Sequence, residues 1–256
     1  MYARWNKYVC RLEVFLSSLI AVPKSKSSAA SPRRRPKQGG YARGDETRAQ
    51  IITTALRVFG ERGFDQASTR DIAAKAGVNP PALQYYFGSK EGLHRACAQY
   101  IIDRALPRLQ PVVSGAHAAC KAGAAFDALA KLLDALTDSL AEPGSDSWSR
   151  FIVRSKHDGA GPGVDMLREQ LSLPTIEAVS QLIATITGVP ASNDMTRLRT
   201  LLVLGQIHWM HAGREEALKV VGWPKLDAAR IETIKRAVRE HTRLVLQNLA
   251  LHQSQS

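Results

Sequence analysis

Residues 79–91, NPPALQYYFGSKE, leave room for about two helical turns between a pair of prolines and a glycine. A helix that short does not persist alone in water, so a neighbouring element has to hold it. The stretch just before it, ASTRDIAAKAGV, offers a second short helix. Ser68 and Asp71 form an S-x-x-D capping box, Ile72, Ala73 and Ala76 share one face, and Gly77 suits the left-handed conformation that closes a helix. Asn79 can cap the next helix, because Pro80 and Pro81 stand where backbone N–H groups lack intrahelical partners anyway. Counting Thr69 as the first position, Ala73 and Gly77 fall at the fifth and ninth. Apolar Ile72, Ala76, Val78, Leu83 and Tyr86 fall at the fourth, eighth, tenth, fifteenth and eighteenth. Two helices packed closely across a glycine turn need this pattern, the signature of a helix-turn-helix. Leu83 and Phe87 then face inward, while Pro81, Gln84 and Tyr85 project outward together. Gln84 can bond a base edge in a DNA groove, and tyrosine hydroxyls can bond phosphates.

The segments around this motif are also helical. In DETRAQIITTALRVFGERGF, residues 45–64, Ile51, Ile52, Ala55, Leu56 and Phe59 recur at helical spacing and Gly63 is placed to end the helix. SKEGLHRACAQYIIDRAL makes a fourth helix with Leu93, Ala96, Cys97, Tyr100 and Ile101 on one stripe. Helices continue over 122–141, 164–187, 194–212 and 227–251, separated by EPGSD, HDGAGPG, TGVPAS and VGWPK. No strand pattern stands out, and the expected fold class is all-α: a three-helix DNA-binding domain with a helix-turn-helix, followed by a second α-helical domain. The expected boundaries are 1–44 for a disordered basic tail, 45–105 for the DNA-binding domain (helix-turn-helix about 68–87) and 106–256 for the remainder.

A formal net charge of +12 suggests nucleic acid until the charges are located. Residues 1–43 hold ten Lys or Arg against Glu13 alone, which leaves 25 basic against 22 acidic residues for everything after. Residues 23–44, rich in Pro, Gly, Ser and positive charge, cannot bury a core and are expected to be disordered. Arg33, Arg34, Arg35 and Lys37 can follow a DNA backbone or enter a minor groove. The run YVCRLEVFLSSLIAV at 8–22 resembles the apolar core of a signal peptide, but Arg11 and Glu13 interrupt it and it is too short to span a bilayer. A start codon assigned too far upstream accounts for it better, although the next Met is Met166. The three cysteines form neither a C-x-x-C nor an even framework and read as buried small hydrophobes of a reducing compartment, the cytoplasm.

Enzymatic signatures are missing. GAGPG at 159–163 lacks the Lys and Ser/Thr of a phosphate loop and reads as a flexible connection, and neither G-x-S-x-G nor a Cys with a marked His partner occurs. His208 and His211 have a metal-compatible spacing that His157 or Cys120 can join, yet nothing marks a third ligand. No catalysis, metal, cofactor or membrane partner is expected.

The motifs together carry a resemblance. TRAQIITTALRVFGERG, STRDIAAKAGV, LQYYF and SKEGL resemble the DNA-binding domain of the tetracycline-repressor (TetR) family over its whole length. FIVRSKHD, LPTIEAVSQLIATITG and GREEALKVVGW resemble the C-terminal domain of its CecR (CerR) subgroup, as do TRDIAAKAG, YYFGSKE and ACAQYI. The resemblance implies that Thr69, Arg70, Asn79, Ala82, Gln84, Tyr85, Tyr86 and Lys90 face DNA, with Tyr85 and Lys90 on phosphates. It also implies a small-molecule effector pocket inside helices 4 to 8 and a homodimer built on the last two long helices. Two departures stand out: Pro80 and Pro81 replace small residues, and Ser155 and Lys156 follow an arginine after which members often carry an acid.

Some support is independent of the resemblance. RLRTLLVLGQIHWMHAG is apolar over more of its circumference than one core face needs, as a dimer seam requires. Trp148, Phe151, Arg154, Met166, Gln206, His208 and Trp209 supply the aromatic surface and sparse polar groups that pockets use. The expected function is a DNA-binding transcriptional regulator, a repressor that a small-molecule effector releases from double-stranded operator DNA. The alternative is a helical small-molecule binding protein whose DNA-binding domain has decayed.

Overall fold

The computed structural model describes residues 39–158 and 161–253, with side chains from 44 to 155 and from 161 to 251. The arginine cluster at 33–35, Lys37 and the apolar run at 8–22 lie outside the described residues. Helix α1 spans Gly39–Gln66, so residues 39–44, expected in the tail, are already helical. The chain from Tyr41 onward forms one unit, and no strand occurs among the described residues.

In α1, Ile51, Ile52, Ala55, Leu56, Val58 and Phe59 are buried, as their spacing requires. Gly63 departs from helical geometry at φ 80°, a value open to glycine, and the chain makes one further turn to Gln66. Helix α2 (Thr69–Lys75) and α3 (Pro80–Phe87) follow. The expected capping box does not form: Ser68 occupies the cap position without a side-chain bond. Asp71 instead pairs with Arg62 at 2.8 Å, tying α2 to α1. Gly77 adopts the left-handed turn at φ 65°. Asn79 does cap α3, its Oδ1 accepting from the Ala82 N–H at 2.9 Å, and both prolines fit the first two helical positions.

Helix α4 runs from Lys90 to Lys121, about 48 Å by its 32 residues. The sequence reading carried this helix only to Leu106; the helix continues through Pro107 and Pro111, each of which lacks a helical donor. Helices α5 (Ala125–Asp138), a 3₁₀ turn at Ser139–Ala141 and α6 (Ser145–Asp158) come next, α6 being one the sequence reading did not assign. The 164–187 helix is interrupted: α7 (Val164–Leu167) leads through a π turn at Arg168–Ser172 into α8 (Leu173–Thr187). Pro174 cannot donate to the carbonyl of Gln170, which accounts for the wider turn before it. Helices α9 (Asp194–Ala212), α10 (Arg214–Val220) and α11 (Ala228–Gln253) complete the chain.

Two hydrophobic clusters organise this unit, and their border does not follow the expected boundary at residue 105. The first joins α1 to α3 and the start of α4 with Trp148 and Phe151 of α6 and Leu167 of α7. The second lies among α4's far end, α5, α8, α9 and α11. Fully buried Phe151 packs 4.6 Å from the His94 ring and 6.2 Å from Phe59, centroid to centroid, so α6 belongs physically to the DNA-binding half as well as to the remainder. The GAGPG segment is likewise no slack connection in its described part. A Cβ on Gly161 would stand 2.5 Å from His94 Cε1, and one on Gly163 would stand 2.7 Å from Ala98 Cβ.

Candidate functional site

The outward face of α3 is the first element of the site. Leu83 is buried against α1 and α2, whereas Pro81, Gln84 and Tyr85 are exposed, Tyr85 by 84%. A tyrosine left that open by a short, well-anchored helix has surface to offer a partner. The Tyr85 and Tyr86 rings meet edge to face at 5.4 Å. Tyr86 is half-buried, with its hydroxyl beside Gly44 of α1, so it serves the core as well as the surface. Arg70 and Asn79 are exposed, and Thr69 and Ala82 are half-buried at the starts of α2 and α3.

Two of the expected DNA contacts are already engaged within the chain. The Asn79 carboxamide oxygen caps α3, and the Lys90 ammonium donates to the Asp65 carbonyl at 3.0 Å while lying 4.7 Å over the Phe64 ring. Lys90 thereby ties the turn after α1 to the start of α4, and an ammonium keeps further N–H groups for a phosphate. Sequence reasoning missed Arg48, whose guanidinium lies 5.5 Å over the Phe87 ring and so places a cation beside the reading helix. Its position one turn ahead of the buried Ile51 was the available signal.

The second element is a cavity of about 430 Å³ bounded by α4, α6, α8, α9 and the 3₁₀ turn. That lies in the range of small-molecule sites, about 300–1,000 Å³. Its walls are mainly apolar, with a polar strip that includes Arg104, Arg108, Glu142, Ser139, Ser149 and His211. Ile101, Trp148 and Leu167 line it and also belong to the first cluster, so the cavity shares a wall with the core that holds α3. A smaller groove of about 270 Å³ lies along α5 and α11 and borders the second cluster only.

Of the seven residues selected from sequence as pocket candidates, Trp148 and His208 line this cavity. Phe151 does not, because its ring fills the core between α1, α4 and α6. Met166 packs against that same core, and half-buried Arg154 is likewise outside the lining. Gln206 turns toward α11, donating from its amide nitrogen to Thr242 at 3.1 Å and accepting at its amide oxygen from His241 Nδ1 at 2.9 Å. Trp209 is 61% exposed on the outer face of α9. With Met195, Leu198, Leu202 and Gly205 it forms a stripe spaced alternately three and four residues apart, beside exposed Leu244, Val245 and Leu251 of α11. The lining residues Arg104, Arg108, Ser139 and Ser149 carried no distinguishing sequence signal, and His211 stood out only for its spacing from His208, since these residues meet through tertiary packing.

Two histidines are held neutral by this packing. His94 accepts from the Gly163 N–H through Nδ1 at 3.2 Å and meets Ser155 through Nε2 at 3.4 Å; burial, helped by the Lys90 charge, pushes its pKa down to about 4. Burial and the neighbouring Arg214 charge push His211 down to about 4 as well. Both fold-state values lie below the ordinary 6.5, so the unfolded chain binds more protons between them. Their contribution to stability is complete above pH 6.5 and is lost as pH falls from there toward 4. Denaturant midpoints should therefore fall between pH 7 and pH 5, and His94→Gln should flatten part of that fall. An identical pH dependence in the variant would remove His94 as a cause.

Among the described residues no group of three or more His, Cys, Asp or Glu is placed to hold a metal, and no helix is long and apolar enough to cross a membrane. Cys120 donates to the Gln181 carbonyl, and His211 is engaged by two serines.

A reading helix held by a helix-turn-helix, with a cavity sharing the wall behind it, defines the class of helical DNA-binding regulators. The profile of the bacterial regulatory proteins of the tetR family matches residues 51–97, and the C-terminal domain profile of the HTH-type transcriptional dual regulator CecR matches residues 125–249. CecR of Shigella flexneri is 32% identical over 213 residues, which are 81% of this chain and 95% of that protein. The regulatory protein RaaS of Mycobacterium tuberculosis is 28% identical over 61% of this chain and 66% of its own. The crystal structure of AibR in complex with isovaleryl coenzyme A and operator DNA superposes with a TM-score of 0.51 at 16% identity, over 75% of this chain and 96% of that one. A transcriptional regulator from Rhodococcus sp. RHA1 does so with 0.51 at 19%, over 79% and 97%. The chain belongs to the TetR family of bacterial transcriptional regulators, with a C-terminal half of the CecR type.

Proposed function

We propose that the protein acts as a homodimer in the cytoplasm, each subunit placing α3 in a major groove of operator DNA, and that a small molecule in the cavity releases it. The observation that carries this reading is the exposure of Gln84 and Tyr85 on a helix anchored by buried Leu83. Gln84 reads a base edge, Tyr85, Lys90 and Arg48 position the phosphate backbone, and Thr69 and Arg70 approach it from the start of α2. The apolar stripe on α9 and its neighbours on α11 fit a two-fold four-helix seam, whose 3-4 spacing suits knobs-into-holes packing. Half-sites should lie about 34–36 Å apart or a multiple of that.

The same geometry disfavours a decayed DNA-binding domain. Pro80 and Pro81 occupy the first two positions of a capped helix, where their missing donors cost nothing. They do remove backbone N–H groups from the end of α3, and Ala82 N–H is spent on Asn79, so side chains rather than that helix terminus have to hold the phosphate.

Selection of binding sites from random DNA, followed by gel-shift titration, tests the proposal. A palindromic site should emerge. Gln84→Ala should weaken binding to it by about 1–3 kcal/mol and relax preference at one base position per half-site, as loss of a bidentate contact does. Unchanged preference would exclude Gln84 from direct readout, and selection of no sequence at all would return the protein to the ligand-binding alternative.

A further inference from the structure

At the polar end of the cavity His211 lies between two serine hydroxyls that can each donate elsewhere. Ser139 and Ser149 each donate to a backbone carbonyl, Ser139 to Leu136 at 2.5 Å and Ser149 to Ser145 at 2.7 Å. The same two oxygens face the two nitrogens of His211, Ser139 at Nε2 (3.1 Å) and Ser149 at Nδ1 (3.0 Å). A neutral imidazole with the two hydroxyls supplies protons for three of these four contacts, whereas an imidazolium fills all four at once.

The surroundings withhold that charge. Arg214 of α10 stands against the ring's neighbours, donating to Leu140 O at 3.2 Å and to Ser145 Oγ at 3.0 Å, and its Nε is buried without a partner. His208, on the same helix as His211, also lines the cavity. The carboxylates of the elements packed around the ring are committed elsewhere: Glu142 to Arg108, Asp146 to Arg150 at 2.7 Å, and Asp138 to Lys235 at 2.5 Å. Among the described residues a proton on His211 therefore lacks an uncommitted counter-anion, and the rest of the cavity wall is largely apolar.

On the reading that this cavity is the effector site, we propose that the effector is an apolar carboxylic acid, bound as its anion together with one proton taken up on His211. The acid loses its proton and the imidazole gains it, so the pair enters without net charge. The apolar body lies along Ile101, Leu109, Ile152 and Ile176, and Arg104 stands on the same wall as a partner for the carboxylate. Once charged, His211 donates from both nitrogens and ties α9 to the 3₁₀ turn and to α6, whose Phe151 reaches His94 and the core behind α3.

Calorimetric titration of the full chain near pH 7, in buffers of different ionisation enthalpy, tests this with benzoate, naphthoate, decanoate and oleate and with the matching amides and amines. At least one acid should bind with uptake of about one proton per molecule, and its affinity should fall about tenfold for each pH unit above neutrality. The matching amide should bind at least about tenfold more weakly. His211→Gln, which keeps two polar contacts without a titratable ring, should bind the acid with no proton uptake and a flat pH profile. Binding without proton exchange, an amide or amine equal to its acid, proton uptake that survives in His211→Gln, or no binding by any acid would each overturn the assignment. Operator release, measured separately by gel shift, keeps the two readings apart. Release by a neutral or cationic compound alone would sink the acid assignment and leave the regulator standing. Acid binding with proton uptake but no release would do the reverse.

Discussion

Leu202→Arg should convert the protein to a monomer and weaken operator binding by about 100-fold or more. Leu202 is 64% exposed at the centre of the α9 stripe, so the subunit gives up little internal packing when it changes. Arginine is a good helix former, so α9 itself should still form in the variant. In the dimer, however, the new guanidinium would meet its symmetry mate in an apolar seam, where two like charges lose their hydration without a partner. Two reading helices bound to one another gain effective concentration worth about 10²–10⁴ in avidity, and that gain disappears with the seam. Sedimentation velocity and gel shift on the same preparation provide the check. A variant that stays dimeric would move the seam away from α9. A monomer that binds the full operator as tightly as the parent would show that the two half-sites are not read together.

Phe151→Ala should lower unfolding stability by about 3–5 kcal/mol, the usual cost of truncating a buried aromatic. Phe151 has no exposed surface and touches both the helix that carries the first core and the one that leaves it, through Phe59 and His94. The cavity left behind would lie between the reading helix's support and α6, so operator affinity should fall together with stability. This differs from the expectation from sequence, in which Phe151 was a candidate for the ligand pocket. Denaturant titration with and without operator measures both quantities, and a loss below about 1 kcal/mol would mean that the junction core relaxes around the gap.

Both expectations concern one continuous path. A ligand shifts an equilibrium only by its differential affinity for the two states, and effector and operator must then weaken each other by equal factors. Ile101, Trp148 and Leu167 are the residues through which the cavity and the first core share a surface, and α4 spans both. Changes confined to the cavity side, such as His211→Gln, should alter the response to ligand. Changes on α3, such as Gln84→Ala, should alter the choice of DNA.

The sequence by itself determined the short-range elements. Gly77, Asn79 with its two prolines, and the inward spacing of Leu83 and Phe87 fix a helix-turn-helix because capping, positive φ and helical periodicity are decided within a few residues. Gln84 and Tyr85 followed as outward residues from the same periodicity, and the excess apolar surface of α9 was visible as a face too wide for one core. Tertiary structure alone decided the rest. The capping box at Ser68 gave way because Asp71 gained a better partner in Arg62, a residue on another helix. Helix α4 continued past Pro107 and Pro111 because packing of its flanking turns against α5 and α8 outweighs two missing backbone bonds. Whether an aromatic residue became core, as Phe151 did, cavity wall, as Trp148 did, or open seam, as Trp209 did, depended on which helices arrived opposite it. The contact of His211 with Ser149 and Ser139 joins residues 62 and 72 positions apart, a distance over which no local pattern operates, and only the packed helices bring them within hydrogen-bond reach.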